Sequence, residues 1–463
     1  MLVMELDDLD WQMTNYGGVG PKLARFLVEQ GHLDVVTRAA AERGEWYCAQ
    51  EAVRALCARG EFQRARSVIE PFVAIGSSSA RNLDAEVLIE WGRIEEGLSL
   101  VRPGHLGQAS DGLCIAYAEL LVKSGLVDEA IDVLAPRVRS WWIASSLVEM
   151  TDKQGRDDRV LRLLEPLAFE ARQAASDCAR DRDLSSMQEL HAMVLERVGR
   201  ADEAIRLLGI DFAAGRFSSQ NILIYYARLL ARHDRLGELR DLATGSEAGV
   251  VLEVYADALR DRGRAEEAEA LVREFIAVTG CLGHRAYLSR VLLADGRVDD
   301  AVEVAEPAFG YYDCANLLVP LVYGLLDRPQ ELLRVLDHPG VKAQEDHEEY
   351  GAWWRPTALA SLGRHEEAID LLTRSGDKST DHDTMTAHLL HLAGHTDMAI
   401  AHLRTVPSLK ARQDLGELLI QLGRADEGLA VLPTVAEQRA AQEAKPPVAA
   451  AVDDNGYSVD PPF

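Results

Sequence analysis

The chain has 463 residues, 48% of them hydrophobic and 6% aromatic, which supplies ample core material and excludes disorder over most of its length. Its 75 acids against 49 Lys and Arg leave a formal net charge of −26, which repels phosphate backbones and anionic membrane surfaces. Direct contact with nucleic acid is therefore not expected. Six cysteines (Cys48, Cys57, Cys114, Cys178, Cys281, Cys314) form no C-x-x-C pair, so neither zinc spacing nor a disulfide framework is indicated, and buried thiols in a reducing cytosol are expected.

Residues 1–16, "MLVMELDDLDWQMTNY", carry acids where a secretory signal would carry a basic region and an apolar run, so a cytoplasmic protein is expected. The "DDLD" at 7–10 has the acid density of a magnesium site, but a solvated acidic end is the expected reading. "NYGGVGPKLARF" at 15–26 places three glycines and Lys22 ahead of a helix, as a phosphate cradle would. The G-x-x-x-x-G-K-[ST] spacing is absent and no strand precedes it, so a flexible cap to the first helices is expected.

From there the chain repeats. "GRADEA" at 199–204 returns as "GRADEG" at 423–428, and related phrases build a ladder of anchors at Gly31, Gly60, Gly92, Gly125, Gly155, Gly199, Asp234, Gly263, Gly296, Asp327, Gly363, Gly394 and Gly423. The mean step is about 33 residues, the period of a helical solenoid. Four residues before the anchors stand Leu27, Leu56, Leu88, Leu121, Leu195, Leu230, Leu259, Leu292, Leu359, Leu390 and Leu419, with Thr151 and Tyr323 dissenting. Small residues recur seven before the anchor (Ala85, Ala192, Ser289, Gly416) and five after it (Gly97, Ala204, Ala301, Gly428). Small residues flanking a tight turn let two antiparallel helices approach closely, so each unit reads as a helical hairpin. Acids such as Asp202 and Glu203 then serve the first turn of the second helix, not catalysis, which needs one constellation rather than many.

Late in the chain, "CANLLVPLVYGLL" at 314–326 is the longest apolar stretch, well short of the ~20 residues of a membrane helix. The Gly155–Gly199 step is long, and "FEARQAASDCARDRDLSS" at 169–186 is expected to lengthen or insert a helix. "KAQEDHEEYG" at 342–351 is expected to form a loop, and residues 434–463 a flexible tail.

The order of small residue, leucine, turn glycine and small residue, as in Ala192, Leu195, Gly199 and Ala204, resembles the tetratricopeptide repeat over residues 17–433. The resemblance implies an all-α fold, a right-handed superhelical solenoid of about 13 antiparallel helix-turn-helix repeats. It departs from the family at Pro71, Pro103, Pro136, Pro166 and Pro307, eleven residues past their anchors, which implies short or kinked second helices.

In that family the first helix of each hairpin lines a concave groove. The corresponding positions here give an acidic stripe of Glu86, Glu119 and Glu149, joined by Glu90 and Asp152, then a basic step of Arg228, Arg232 and Arg290. Trp142, Tyr350 and Trp353 fall on groove positions as aromatic anchors. By resemblance the chain is a non-enzymatic scaffold or adaptor that holds a protein or peptide segment, with a Lys- or Arg-rich segment as the natural partner of the acids. No cofactor is implied. Two rival readings are a peptide- or ligand-responsive sensor acting through another protein, and a metal-dependent enzyme using His388, His391 and His395, the densest histidine group. Val36 in the first unit hints at an imperfect end cap and at dimerisation through it.

Overall fold

The structure is a computed structural model that describes residues 5–104, 109–174, 186–215, 220–245, 248–309, 315–339, 341–342, 351–375 and 380–444. The described residues are helices and their connections, with no strand among them, and every anchor of the ladder lies between two helices. Among the described residues no helix is long and apolar enough to cross a membrane.

The turn that makes the hairpins is one hydrogen-bonding device used repeatedly. Eleven anchor glycines and Asp234 adopt positive φ, the left-handed backbone that reverses a helix end. The residue after the anchor then donates its N–H to the carbonyl of the leucine four before the anchor. Arg200 N reaches Leu195 O at 2.8 Å, and Leu27, Leu56, Leu88, Leu121, Leu230, Leu259, Leu292, Leu359, Leu390 and Leu419 accept in the same way at 2.8–2.9 Å. This six-to-one bond satisfies a carbonyl that the end of the helix would otherwise leave open. The same post-anchor residue presents its own carbonyl to the small residue beyond it, as Arg200 O accepts from Ala204 N at 3.1 Å, and so begins the second helix.

The small positions do what their spacing implies. A Cβ on Gly428 would lie 2.6 Å from the Gly416 carbonyl, one on Gly97 would lie 2.8 Å from the Ala85 carbonyl, and Ser289 Oγ donates to Ala301 O at 3.0 Å. All three pairs join the position seven before an anchor to the position five after it. The leucines of the turn are almost all fully buried beside them. Antiparallel helix pairs built on this contact make the chain a helical-hairpin repeat protein, the architecture that the tetratricopeptide resemblance implies.

The two units without leucine are the two that turn differently. In the Gly155 unit the first helix ends at Met150, and the buried Thr151 hydroxyl donates to Leu147 O at 2.7 Å in place of the six-to-one bond. In the Asp327 unit the anchor does not take positive φ, Tyr323 is exposed, and short bonds from Leu325 and Arg328 to Val322 and Leu325 close the turn. The prolines also divide. Pro136 and Pro307 sit in short 3₁₀ turns that end their helices, and Pro103 comes just after the end of helix Ile94–Val101. Pro71 and Pro166 lie inside continuous helices, so no shortening occurs there. The long Gly155–Gly199 step holds an 18-residue helix, Asp157–Ala174, while the rest of the 169–186 stretch and residues 343–350 fall mainly outside the described residues.

The contacts divide the chain into two compact units, Met1–Val101 with Ser375–Phe463, and Arg102–Arg374. The first unit therefore contains both ends of the sequence, and its hydrophobic core mixes Val36, Trp46 and Phe72 with Ile420, Leu429 and Leu432. Arg43 holds the junction. Its guanidinium donates to the carbonyls of Leu429, Leu432 and Pro433 at 2.7–3.2 Å and to Glu45 Oε1 at 3.1 Å. Glu45 is fully buried, and its other oxygen accepts from Val19 N at 2.8 Å. Burial pushes the Glu45 carboxyl above its ordinary value despite these bonds.

Two expectations are corrected here. Residues 6–15 are not a loose acidic end: they form a helix whose Leu9 and Gln12 are buried, because its apolar face packs on the core. Residues 435–443, expected within the flexible tail, form a helix started by a capping box, in which Thr434 and Glu437 bond each other's backbone N–H. That helix lies on the first one, through Trp11 Nε1 to Gln442 Oε1 at 2.8 Å and Arg439 to Asp8 at 2.8 Å. Residues 445–463 of the expected tail lie outside the described residues.

These joints carry three expected outcomes for stability. Ala204→Leu overfills a hairpin contact and should destabilise by about 1–3 kcal/mol, whereas Gly112→Ala, at an open helical position, should be neutral or slightly stabilising, as read from denaturant titrations. Arg43→Ala leaves three carbonyls and the buried Glu45 carboxyl short of a partner and should cost about 3–5 kcal/mol, with amide exchange accelerating first in residues 425–443. Hydrogen bonds from Arg412 and from the Thr434 backbone hold the Glu437 carboxyl at about 2, below the ordinary 4.5. Its stabilisation is present above 4.5 and lost as pH falls through about 2, so Glu437→Gln should flatten the acid limb of the stability curve between those values.

Candidate functional site

Packing consumes the small and leucine positions of each first helix and leaves another face of it open. In the second unit the first helices Asp111–Lys123, Trp141–Met150, Met187–Arg197, Gln220–Arg232 and Ala248–Arg260 pack side by side in succession. The predicted groove residues of this unit are mostly exposed: Glu119, Glu149, Asp152, Arg228 and Arg232, and Arg290 on helix Leu282–Ala294, all stand out to solvent. Glu86 is half-buried and Glu90 exposed, both on helix Ser78–Glu90 of the first unit.

Their electrostatic states differ. Glu90 bonds the Cys57 thiol on the neighbouring first helix. Asp152 lies 3.8 Å from Arg197 and 3.7 Å from Lys153. Glu119 and Glu149, at equivalent positions of consecutive helices, form no ion pair among the described residues. That contrasts with the acids of the turns, where Arg200–Glu203, Arg264–Glu267, Arg364–Glu367 and Arg424–Glu427 close at 2.6–2.7 Å. These turn pairs are exposed neighbours three apart, screened by solvent, and contribute little each.

The basic step is less free than its sequence suggests. Arg232 lies over the Tyr225 ring and bonds both oxygens of Glu196 at 2.7 and 2.8 Å, while Tyr225 OH and His233 bond the same carboxylate. Partial burial pushes Glu196 up, but the Arg232 and His233 hydrogen bonds outweigh it and hold the carboxyl below its ordinary value. Glu196 occupies a groove position that sequence reading passed over; its signal was the spacing three before Gly199. Arg290 lies over the Tyr287 ring, whose hydroxyl donates to Asp257 at 2.7 Å, and Arg228 forms no ion pair among the described residues.

Of the aromatic anchors, Trp142 is 66% exposed and meets Trp141 edge-on with ring centroids 4.8 Å apart. Tyr350 lies outside the described residues, and Trp353 is placed on helix Gly351–Ser361. In the glycine segment at 15–26 the amides of Gly17, Gly18 and Val19 are occupied by the protein itself. Gly18 N donates to Gln438 Oε1 at 2.7 Å and Val19 N to Glu45, and a Cβ on Gly18 would strike Glu45. At these amides the segment is a packing joint.

His388 and His391 sit on helix Thr380–Leu392 and His395 just before the next helix. His391 Nδ1 is 3.0 Å from Thr396 Oγ1, His402 pairs with Asp383, and among the described residues no three His, Cys, Asp or Glu side chains gather as a metal site.

No protein-family model and no curated protein sequence matches the chain. Among solved structures, that of Naa15/Naa10 bound to HypK-THB is similar at 13% identity over 83% of this chain and 67% of that one, TM-score 0.37. The pentatricopeptide repeat protein PPR10 from maize aligns at 17% identity over 89% and 72%, TM-score 0.32. The Cut9–Hcn1 assembly of the APC/C aligns at 13% over 89% and 93%, TM-score 0.21. The repeat character of the chain rests on its own turns and packing. Elemental analysis of the purified protein should find no stoichiometric zinc or manganese; one equivalent that disappears in His388→Ala would restore the metal reading.

Proposed function

We propose that the chain is a non-enzymatic interaction scaffold whose first-helix face in the second unit holds a basic peptide or protein segment. The observation that carries this reading is the pair Glu119 and Glu149. They are exposed, stand at the same register on consecutive packed helices, and carry no counter-cation among the described residues, although arginines neutralise acids elsewhere along the chain. Like charges repeated along one face repel, and a ligand that brings Lys or Arg relieves this. Trp142, two-thirds exposed on the same helix as Glu149, offers the flat apolar contact that anchors a bound segment. The −26 net charge makes an RNA or DNA occupant unfavourable on the same grounds.

Capture of partners from a lysate, followed by a titration with the captured basic segment, tests the reading. Glu119→Lys with Glu149→Lys should weaken binding by about 10-fold to 100-fold and remove most of its salt dependence, while Trp142→Ala should weaken it with the salt dependence intact. Undiminished binding by the double charge reversal would move the site off this face.

A further inference from the structure

We propose that Cys281 is a reactive thiol that takes covalent modification, forming mixed disulfides with small disulfides, and that His284 is its proton partner. Cys281 is the residue immediately before the 13-residue helix Leu282–Ala294, and its sulfur lies 3.0 Å from His284 Nδ1. Cys281 is the N-cap residue of this helix and its side chain makes no capping hydrogen bond there, so the sulfur is turned to the histidine rather than to the first-turn amides.

The histidine is the independent sign of a site. It is 4% exposed, its Nε2 has no hydrogen-bond partner, and its ring packs on Phe275 with centroids 4.8 Å apart. A buried imidazole that spends its one polar contact on a sulfur is an expensive way to fill a core position. Burial pushes the ring below its ordinary value and so keeps it neutral at physiological pH, and in the tautomer that carries its hydrogen on Nε2 the Nδ1 faces the thiol as an acceptor. The neighbouring cation does not interfere, because Arg285 donates to Val304 O at 2.9 Å.

Access is built into the same turn. Gly280 takes positive φ, Thr279 Oγ1 accepts from Cys281 N at 3.3 Å, and both fix the approach of the chain. Gly283 is exposed, and a Cβ there would sit 3.9 Å from the sulfur, so one flank of the thiol faces open space. Cys281 itself is half-buried, which leaves its sulfur within reach of a small reagent.

The reaction balances without any further reagent. The Cys281 sulfur attacks one sulfur of R–S–S–R, its S–H proton passes to His284 Nδ1, the R–S–S–R bond breaks, and the departing thiolate takes the proton to leave as R–SH. The product is Cys281–S–S–R with the ring neutral again. Cys57 provides the contrast inside the same chain. It is also half-buried, but burial and the bond to Glu90 push its thiol up to about 11.

The test uses the full chain at neutral pH with oxidised glutathione, and with iodoacetamide as a second probe, tracking each of the six cysteines by peptide mass spectrometry. The same protein unfolded in urea supplies the intrinsic rate of each thiol. Cys281 should react roughly tenfold faster folded than unfolded, and Cys57 slower folded than unfolded. His284→Phe should bring the Cys281 rate down to the unfolded value, and His284→Gln, which keeps a polar atom near the sulfur, should fall between. A folded Cys281 no faster than its unfolded self overturns the proposal from the natural protein alone, even where a variant fails to fold. An unchanged rate in a folded His284→Phe overturns the role of the histidine.

Discussion

A single hydrogen bond sets the terms for the rest of the molecule: the one that runs from the residue after each turn glycine back to the leucine carbonyl four before it. It ends one helix and points the chain back along it, and the same post-turn residue opens the next helix, so two helices share one joint. An antiparallel pair leaving so tight a joint must approach closely within its first turns. The Gly416–Gly428 and Ala85–Gly97 contacts, at which a methyl group would meet a backbone carbonyl, show how close. Where the leucine is replaced, by Thr151 or Tyr323, the bond is missing and the turn is rebuilt from local bonds. Some of the recurring acids come from the same joint: Glu203, Glu267, Glu367 and Glu427 each stand three residues past an arginine that the turn places at the start of the second helix, and the two pair across one helical turn.

The joint also decides where function can reside. With the small and leucine positions spent on packing, only the remaining face of each first helix can vary without damage to the hairpin. Charge on that face is sorted by whether the next helix answers it. Arg232 finds Glu196 one helix away, and the two neutralise each other together with Tyr225 and His233. Glu119 and Glu149 find no such answer among the described residues. The difference is one of position along the array, which is why identical residue types on equivalent faces carry different consequences.

How much of this was legible depends on the range of the interaction concerned. The hairpins, their buried leucines and their small contacts recur at fixed spacing, so Leu195 and Ala204 announce themselves many times over. The pairing of Glu196 with Arg232 was within reach, since both stand at groove spacings of neighbouring units, but it crosses from one column of the repeat to another. The docking of residues 425–443 onto residues 6–43 was not legible in the repeat, because Arg43 meets Leu429 across 386 residues and nothing periodic links them. Two local signals stood nearby. Val36, larger than the alanine or glycine usual at its position, marks a face with something to cover, and the T-x-x-E phrase at 434–437 writes a helix start into what reads as a tail.

An array of stacked hairpins has an unsatisfied apolar face at each end, and the general remedy is a terminal unit with a polar outer side. Here hairpins far apart in sequence cover each other within one unit, where Val36, Leu429 and Leu432 share a core. Bringing the two segments together closes a loop of several hundred residues, yet the entropy of closure grows only with the logarithm of length, so the penalty is modest once the intervening hairpins are ordered. Arg43 supplies what apolar contact lacks, a fixed register, because its guanidinium can satisfy three particular carbonyls and one buried carboxylate only when the last hairpin is seated in one way. The stability of the first hairpin thus belongs to the last as much as to its neighbour in sequence.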